Sequence, residues 1–444
     1  MATAAQGARP GARTSPRVPR LEGIRALCAF GVLAVHTSFS AGVMGAYDLA
    51  PGNEVGAVLL GGVKGIILGP FFVLSGMLLY RPFARWTLTG SARPAIGPFL
   101  IKRVARLWPA YALLTVACLL LINYNSIHSV WYVLRPILML QVYDFTPYAG
   151  MDPTWTVPAE LQYYIALPLL AAAMHWLARG VAEPERKARR MMIPPVLLTL
   201  VGFGWTLYIH QPSMGIFPEQ YWWPIAMAGG FALGMAMAVQ GVLAEIKPDR
   251  KPVLHRWAGA HPNLFWLGGL AIYAINCAQP YGRPGYGDYE SLGNAVVQFF
   301  LILIFSFLAV MPLTVPEARS RLIDAVLSNP VSRYLGRISF GIYLWHFAIM
   351  YFWFRSGSVF GGDPQPLMML RGTIGFPELM TAVVLGSIAA AALSYHLVER
   401  PVLNAVDRWV AKRSAGAATA VAGPADTSGR SRQADDYIKA GPSA

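Results

Sequence analysis

Two histidines lie inside apolar stretches of this sequence, each downstream of an arginine. Arg25 precedes His36 by eleven residues in LEGIRALCAFGVLAVH. On a helix that spacing is about 20° past three full turns and a rise of about 16 Å, so both side chains face one way at different depths. Arg337 precedes His346 by nine residues in RISFGIYLWHFAIM, a rise of about 13.5 Å, which places the two histidines at similar depth. Ser339, Tyr343 and His346, four and three residues apart, share one helical face. An ionisable group in hydrocarbon costs a few kcal/mol and therefore needs a partner or a task. Imidazole, with an ordinary pKa of about 6.5, is suited to taking a proton from an alcohol that is otherwise protonated at neutral pH. The plainer reading is a snorkelling arginine and a core histidine bonded to a backbone carbonyl.

Other polar residues fall at defined places. Glu160 and Gln162 in PTWTVPAELQYYIALPLL read either as interface groups or, for Glu160, as a carboxylate that raises the basicity of a neighbouring histidine. Arg103 and Arg106, three apart, lie on one helical face and are able to grip an anion, although basic residues at an inner membrane surface are also ordinary. His396, Glu399 and Arg400 sit in SYHLVERP at the inner face, where a Glu399–Arg400 interaction would tie off a helix before Pro401 or, equally, the group would serve function. Ser75-Gly76 in FFVLSG allows close helix approach, and Lys64 has no evident task. Cys28, Cys118 and Cys277 lie in apolar stretches with neither metal spacing nor an even count. They read as small core residues, and no metal is expected.

The elements that must carry these groups are membrane helices. Of 444 residues, 55% are apolar and 13% charged, with mean hydropathy +0.45, against roughly 45–50% apolar and about 25% charged for a soluble domain. Stretches of about 20 apolar residues occur at 24–45, 56–80, 105–122, 155–178, 191–209, 222–240, 261–279, 292–311, 337–356 and 378–398. An apolar piece at 131–141 is too short to span. With the N-terminus inside, 30 of the 36 Lys and Arg residues fall on inner segments, four on outer ones, and Arg25 and Lys64 within spans. The net charge of +14 thus follows the positive-inside rule and does not point to nucleic acid. The expected fold is an all-α polytopic integral membrane protein of about ten transmembrane helices, both termini cytoplasmic. Residues 1–20 read as a disordered basic lead, 21–405 as the membrane domain and 406–444 as a disordered tail. The lead also looks like the n-region of a signal peptide, but removing the first span would break the charge alternation.

In this order the motifs resemble the acyltransferase 3 family of integral membrane acyltransferases, which modify envelope polysaccharides, glycolipids and some secreted small molecules. The resemblance covers about residues 20–405 and rests on the Arg25-x10-His36 pattern, FFVLSG at 71–76, KRVARLWP at 102–109, PTWTVPAELQYY at 153–164, SFGIYLWH at 339–346 and YHLVERP at 395–401. Thr156 and Val157 stand where the family usually has Ser-Leu, Tyr163 where it has Phe, and Pro70 where it more often has an aliphatic residue. Some members carry an added extracytoplasmic hydrolase-like domain; this chain is expected to be the form without one.

The resemblance implies a multi-pass protein of the plasma membrane that moves an acyl group, expected to be acetyl, from cytoplasmic acyl-CoA to a hydroxyl of an extracytoplasmic envelope sugar, glycolipid or secreted small molecule. Acyl-CoA is then a donor substrate, and no bound cofactor is expected. His36 is expected to act as the base or as an acyl-carrying nucleophile, with Glu160 and His346 orienting it or the acceptor. Arg25, Arg103 and Arg106 are assigned to the donor's phosphates, Trp155 and Gln162 to substrate binding, and Ser339 or Tyr343 to the developing oxyanion. A proton-coupled transporter or flippase of a lipid-linked substrate is the alternative. It explains buried histidines equally well but gives no reason for the Arg-x-x-Arg and WTVPAE segments.

Overall fold

The computed structural model describes residues 19–44, 52–144, 148–215, 218–280, 291–366, 369–372 and 374–422. The longer elements are α1 (Pro19–Ser40), α2 (Glu54–Ile66), α3 (Gly69–Thr89), α4 (Ile96–Ala117), α5 (Val130–Ile137), α6 (Thr156–Ala178), α7 (Pro184–Met191) and α8 (Ile193–Ile209). They continue as α9 (Ala228–Ile246), α10 (Val253–Ala260), α11 (Pro262–Ala278), α12 (Leu292–Thr314), α13 (Arg321–Leu327), α14 (Pro330–Trp353), α15 (Phe376–Ser394) and α16 (Arg400–Ala422). No strand occurs among the described residues. In lipid a helix satisfies its own backbone, which is why apolar runs of this length take that form.

Among the described residues eight segments are long and apolar enough to cross a bilayer: Pro19–Ser40, Glu54–Thr89, Ile96–Ile122, Asp152–Ala178, Pro184–Ile209, Pro224–Ile246, Leu292–Thr314 and Phe376–Arg413. The protein is therefore an all-α, multi-pass membrane protein. Two of the ten expected spans fall outside these eight. One is α11, whose 17 residues reach about 26 Å, just under the roughly 30 Å hydrocarbon core. The other is α14, whose hydropathy is lowered by Arg337, Ser339 and His346, the residues singled out above for chemistry. The stretch expected as one span at 56–80 is two helices, broken at Ile67 and Leu68 and extended to Thr89. Pro70 at the start of α3 supplies no N–H and its ring crowds the preceding turn. The 131–141 piece contains α5, 8 residues capped by the Ser129 hydroxyl and too short to span.

The ends also differ from expectation. Pro19 and Arg20, assigned to the lead, already belong to α1, and Arg20 bonds Asp324 with its Nε at 2.5 Å and Nη2 at 2.8 Å. At the other end α16 continues to Ala422, well beyond residue 405. Its alanines are strong helix formers, and Lys102 of α4 pairs with Asp407 at 2.7 Å. Residues 1–18 and 423–444, the remainder of the two expected disordered ends, lie outside the described residues.

Small residues set the closest crossings. Gly76 of α3 and Gly234 of α9 lie so near the opposite backbone that a Cβ on either would fall within van der Waals contact of the Phe231 or the Val73 carbonyl oxygen. Gly336 does the same for α14 against the carbonyl of Glu22 in α1. Fully buried Phe72, Leu74, Tyr80 and Phe231 pack around the α3–α9 seam. Because backbone cannot yield as a flexible side chain does, Gly234→Leu should cost more than the 1–3 kcal/mol typical of overpacking. Gly97→Ala, with nothing within 4 Å, should be neutral. Thermal denaturation of the purified variants in detergent checks this; equal midpoints would show that the seam is not tightly packed.

Candidate active site

The α1–α14 crossing brings the two intramembrane histidines together. Gly336 stands beside Glu22, and ten to fourteen residues further along the same two helices His36 Nδ1 lies 2.8 Å from His346 Nε2. α1 and α14 therefore run parallel. The imidazole rings are nearly coplanar in tilt, 12° apart with centroids 5.1 Å apart, and Phe347 presents its ring edge-on to both. His346 is fully buried, and His36 is half-buried.

The hydrogen bonds fix where the protons sit. A backbone carbonyl only accepts, so His346 Nδ1, 2.5 Å from the Tyr343 carbonyl oxygen, carries a proton and donates it. With both rings neutral, His346 Nε2 is then a lone pair and must accept from His36 Nδ1. This leaves His36 Nε2 unprotonated, and none of the hydrogen bonds among the described residues engages it. A backbone carbonyl, one histidine and then the other thus form a relay that ends in a lone pair on the half-buried ring. Lys64, whose task was not evident in the sequence, places its Nζ 5.7 Å from the centre of the Phe39 ring, one turn beyond His36, and acts on His36 through space.

Glu160 is not the partner of either histidine. Buried on α6, it accepts from Ser75 Oγ of α3 at 2.8 Å and from the hydroxyl of Tyr164. The charges of Arg25, Arg103 and Arg106 act on Glu160 and Tyr164 and on one another. Glu160 thus balances part of an arginine cluster, and the sequence reading that had it raise the basicity of a histidine is corrected. The reason is placement: α6 presents it to α3. Ser75 had been read only as a small residue; Tyr164, four residues after Glu160, lies at the spacing that predicts a contact. The Nε atoms of Arg25 and Arg103 are buried without a protein partner.

The arginine cluster borders a cleft of about 420 Å³ lined by Lys102, Arg103, Arg106, Arg337, Arg400 and Tyr395, among others. A π-helical turn at Tyr395–Glu399 joins α15 to α16 along its wall. Within that turn Glu399 accepts from Ser394 Oγ at 3.2 Å; no Glu399–Arg400 pair occurs among the described residues. Five cationic side chains around one opening, met in that lining by the single carboxylate of Asp407, make a site for a multiply charged anion. The sequence pointed to Arg103 and Arg106 and singled out His396 and Arg400 of the α15–α16 wall, but not that the two groups share one opening.

The remaining expected site residues are engaged elsewhere. The Tyr343 hydroxyl donates to the Pro153 carbonyl and accepts from Thr156 Oγ1 at 2.7 Å, and the Ser339 hydroxyl donates to Gly336 O at 2.9 Å. Neither proton is available to an oxyanion, so both residues anchor structure, with Tyr343 holding α14 to the start of α6. Thr156 retains the hydroxyl of the usual serine and uses it in that tie. Trp155 packs on Trp222 with ring centres 4.9 Å apart, and Gln162 accepts from the Tyr143 hydroxyl at 2.5 Å. Neither contacts the histidine pair by any described hydrogen bond or ring contact. Among the described residues no group of His, Cys, Asp and Glu side chains could hold a metal ion.

Comparison with known proteins gives a family profile described as an acyltransferase domain, matching residues 18–396. A Staphylococcus aureus (strain COL) protein named provisionally as an O-acetyltransferase is 23% identical over 405 residues, 86% of this chain and 57% of that one. A Bacillus subtilis (strain 168) protein named provisionally as a peptidoglycan O-acetyltransferase is 23% identical over 413 residues, 87% of this chain and 55% of that one. Nodulation protein 10 of Rhizobium leguminosarum is 22% identical over 381 residues, 77% of this chain and 83% of that one. The chain thus spans little more than half the length of the first two relatives. No solved structure matches.

Removing the Tyr343 hydroxyl tests its anchoring role. Tyr343→Phe leaves the carbonyl on which His346 depends but strips a partner from Pro153 and Thr156, so it should lower stability by about 1–3 kcal/mol. Turnover should fall well short of the 10²–10³-fold loss typical of deleting an oxyanion donor. A larger drop in turnover with unchanged melting would assign the hydroxyl to chemistry instead.

Proposed function

The chain belongs to the acyltransferase domain family, matched over residues 18–396, and on that premise we propose that it is a membrane O-acyltransferase of the cell envelope with His36 as its base. The donor in this reading is an acyl-CoA, with acetyl the favoured acyl group because two relatives carry O-acetyltransferase names. The acceptor is a hydroxyl of an extracytoplasmic sugar, polymer or glycolipid, and the membrane is the plasma membrane.

The single observation that carries this reading is the hydrogen-bond relay from the Tyr343 carbonyl through His346 to His36. It orients one imidazole, holds its Nδ1 proton in place and leaves Nε2 as the lone pair, which is the arrangement that proton abstraction from an alcohol requires. In the proposed reaction, Nε2 takes the acceptor's hydroxyl proton as the oxygen forms a bond to the thioester carbonyl carbon. The C–S bond then breaks, and the departing thiolate takes the proton from His36. The ester and free CoA are the products, and His36 returns to its starting form. The same lone pair also serves if His36 first carries the acyl group itself.

The arginine cleft supports the choice of donor. CoA carries several phosphate charges, and Arg25, Arg103 and Arg106 converge with buried Nε donors that lack protein partners at Arg25 and Arg103. Arg25 lies eleven residues before His36 on α1, about 16 Å along its axis, a length comparable to an extended pantetheine arm. Phosphates held in the cleft would leave the thioester near the histidine pair.

The test is acyl transfer from radiolabelled acetyl-CoA by the purified protein. His36→Gln should lose about 10²–10⁴-fold in kcat, the usual worth of a general base. The Arg103→Gln, Arg106→Gln double variant should instead raise the KM for acetyl-CoA with a smaller effect on kcat. Retained turnover in a folded His36→Gln protein would remove the central assignment. Trapping of label on wild-type protein by acid quench would favour His36 as carrier over base.

A further inference from the structure

Near the end of α1 remote from Arg25 stands a half-buried cation, two of whose nitrogens have no hydrogen-bond partner among the described residues. Arg371 lies in the segment between α14 and α15, and its Nη1 approaches Gly42, where an added Cβ would stand 3.3 Å from it. Gly42 has φ +72°, a left-handed backbone that brings the chain around the end of α1 without a side chain in the way of the guanidinium. Both Nε and Nη2 of Arg371 are buried and have no hydrogen-bond partner. A guanidinium stays charged and has five N–H donors but no acceptor, and a buried donor left unmet costs about 1–3 kcal/mol. Among the described residues these donors are unmet, and that is the geometry of a site for an external acceptor.

The surroundings suit an anion. Arg371 lines a cavity of about 190 Å³ together with Arg355, Ser356, Gly357 and Gln365, and the one carboxylate in its lining, Asp363, is exposed. That volume is below the roughly 300–1,000 Å³ of a site that encloses a drug-sized ligand, but it is enough for a carboxylate or phosphate group attached to a larger molecule outside. Two further polar atoms without partners, Thr37 Oγ1 and Ser40 Oγ, lie on the stretch of α1 that leads from His36 to Gly42. Six residues separate His36 from Gly42, which is about 9 Å at helical rise. Arg371 thus meets the chain just past the end of α1, on the opposite side of the imidazole from the arginine cleft.

We infer that Arg371 binds an anionic group, carboxylate or phosphate ester, on the acceptor molecule itself, and so selects anionic glycosides over neutral ones. This rests on the acyl-transfer reading above for what happens at His36, but not for the binding of the anion. Arg371 acts here as a specificity-determining residue: a forked donor pair matches the two oxygens of a carboxylate or phosphate.

The experiment uses the full chain in phosphatidylcholine nanodiscs, with methyl glucoside, methyl glucuronide, glucose 6-phosphate and inorganic phosphate as probes. Calorimetric titration without donor should show at least one anionic glycoside binding 10-fold or more tightly than methyl glucoside, with inorganic phosphate competing. Which of the two glycosides binds distinguishes a carboxylated from a phosphorylated acceptor. Arg371→Gln should abolish the preference and Arg371→Lys should keep part of it; with acetyl-CoA present, Arg371→Gln should raise KM for the anionic acceptor while kcat changes little. Equal binding of all glycosides by the wild type, or an anion preference that survives in Arg371→Gln, overturns the inference. Should neither variant fold, the titration is repeated in the Arg103→Gln, Arg106→Gln double variant, where the preference should persist if it arises at Arg371 and vanish if it arises in the arginine cleft. Anion binding without transfer to any acceptor would count against the acyl-transfer reading and leave the Arg371 site standing.

Discussion

The hydrogen bond from His36 to His346 imposes the strictest demand on this molecule. Two imidazoles 2.8 Å apart must be held on separate helices within an apolar interior, where neither helix gains much by pushing apolar surface against the other. The protein meets this with a glycine contact that lets α1 and α14 touch backbone to backbone and with a carbonyl that fixes the tautomer of the deeper ring. Phe347 closes the side of the pair, and the Tyr343 tie to Pro153 and Thr156 keeps α14 from sliding past α6. The crossing positions the pair, and the relay gives it direction.

Charge is divided along the same axis. On the Arg25 side, Glu160, bonded to Ser75 and Tyr164, offsets part of an arginine cluster, while two buried N–H groups, at Arg25 and Arg103, are left unmet among the described residues. Such a site is costly when empty, and an anion of high charge recovers most of that cost. The histidines lie between this cluster and Arg371, with Lys64 near the outer side of His36. In the proposed reaction the alcohol and the thioester meet at the histidines, where a proton acceptor removed from bulk water is most effective.

Much of this was legible in the sequence, and the limits were physical. The depth match between His36 and His346 followed from helix geometry, because apolar runs of this length have almost no alternative conformation in lipid. Helix class was legible for the same reason. Partnerships across helices were not. Nothing in the order of residues indicated that Glu160 faces Ser75 and not an imidazole, or that the Tyr343 hydroxyl is spent on Pro153. The break before Pro70 was written in a proline, yet unbroken hydropathy concealed it. The α15–α16 wall of the cleft was obscured because a π-helical turn shifts the register of every side chain after it.

The two halves of the histidine relay are 310 residues apart in the chain. At the 5–20 residues per second of protein synthesis, roughly 15–60 s pass between the emergence of His36 and that of its partner. Throughout that interval α1 sits in the bilayer with a polar ring and no tertiary contact to satisfy it. Assembly of this protein is therefore a problem of waiting: α1 must be tolerated by lipid or sheltered by the insertion machinery until α14 has arrived.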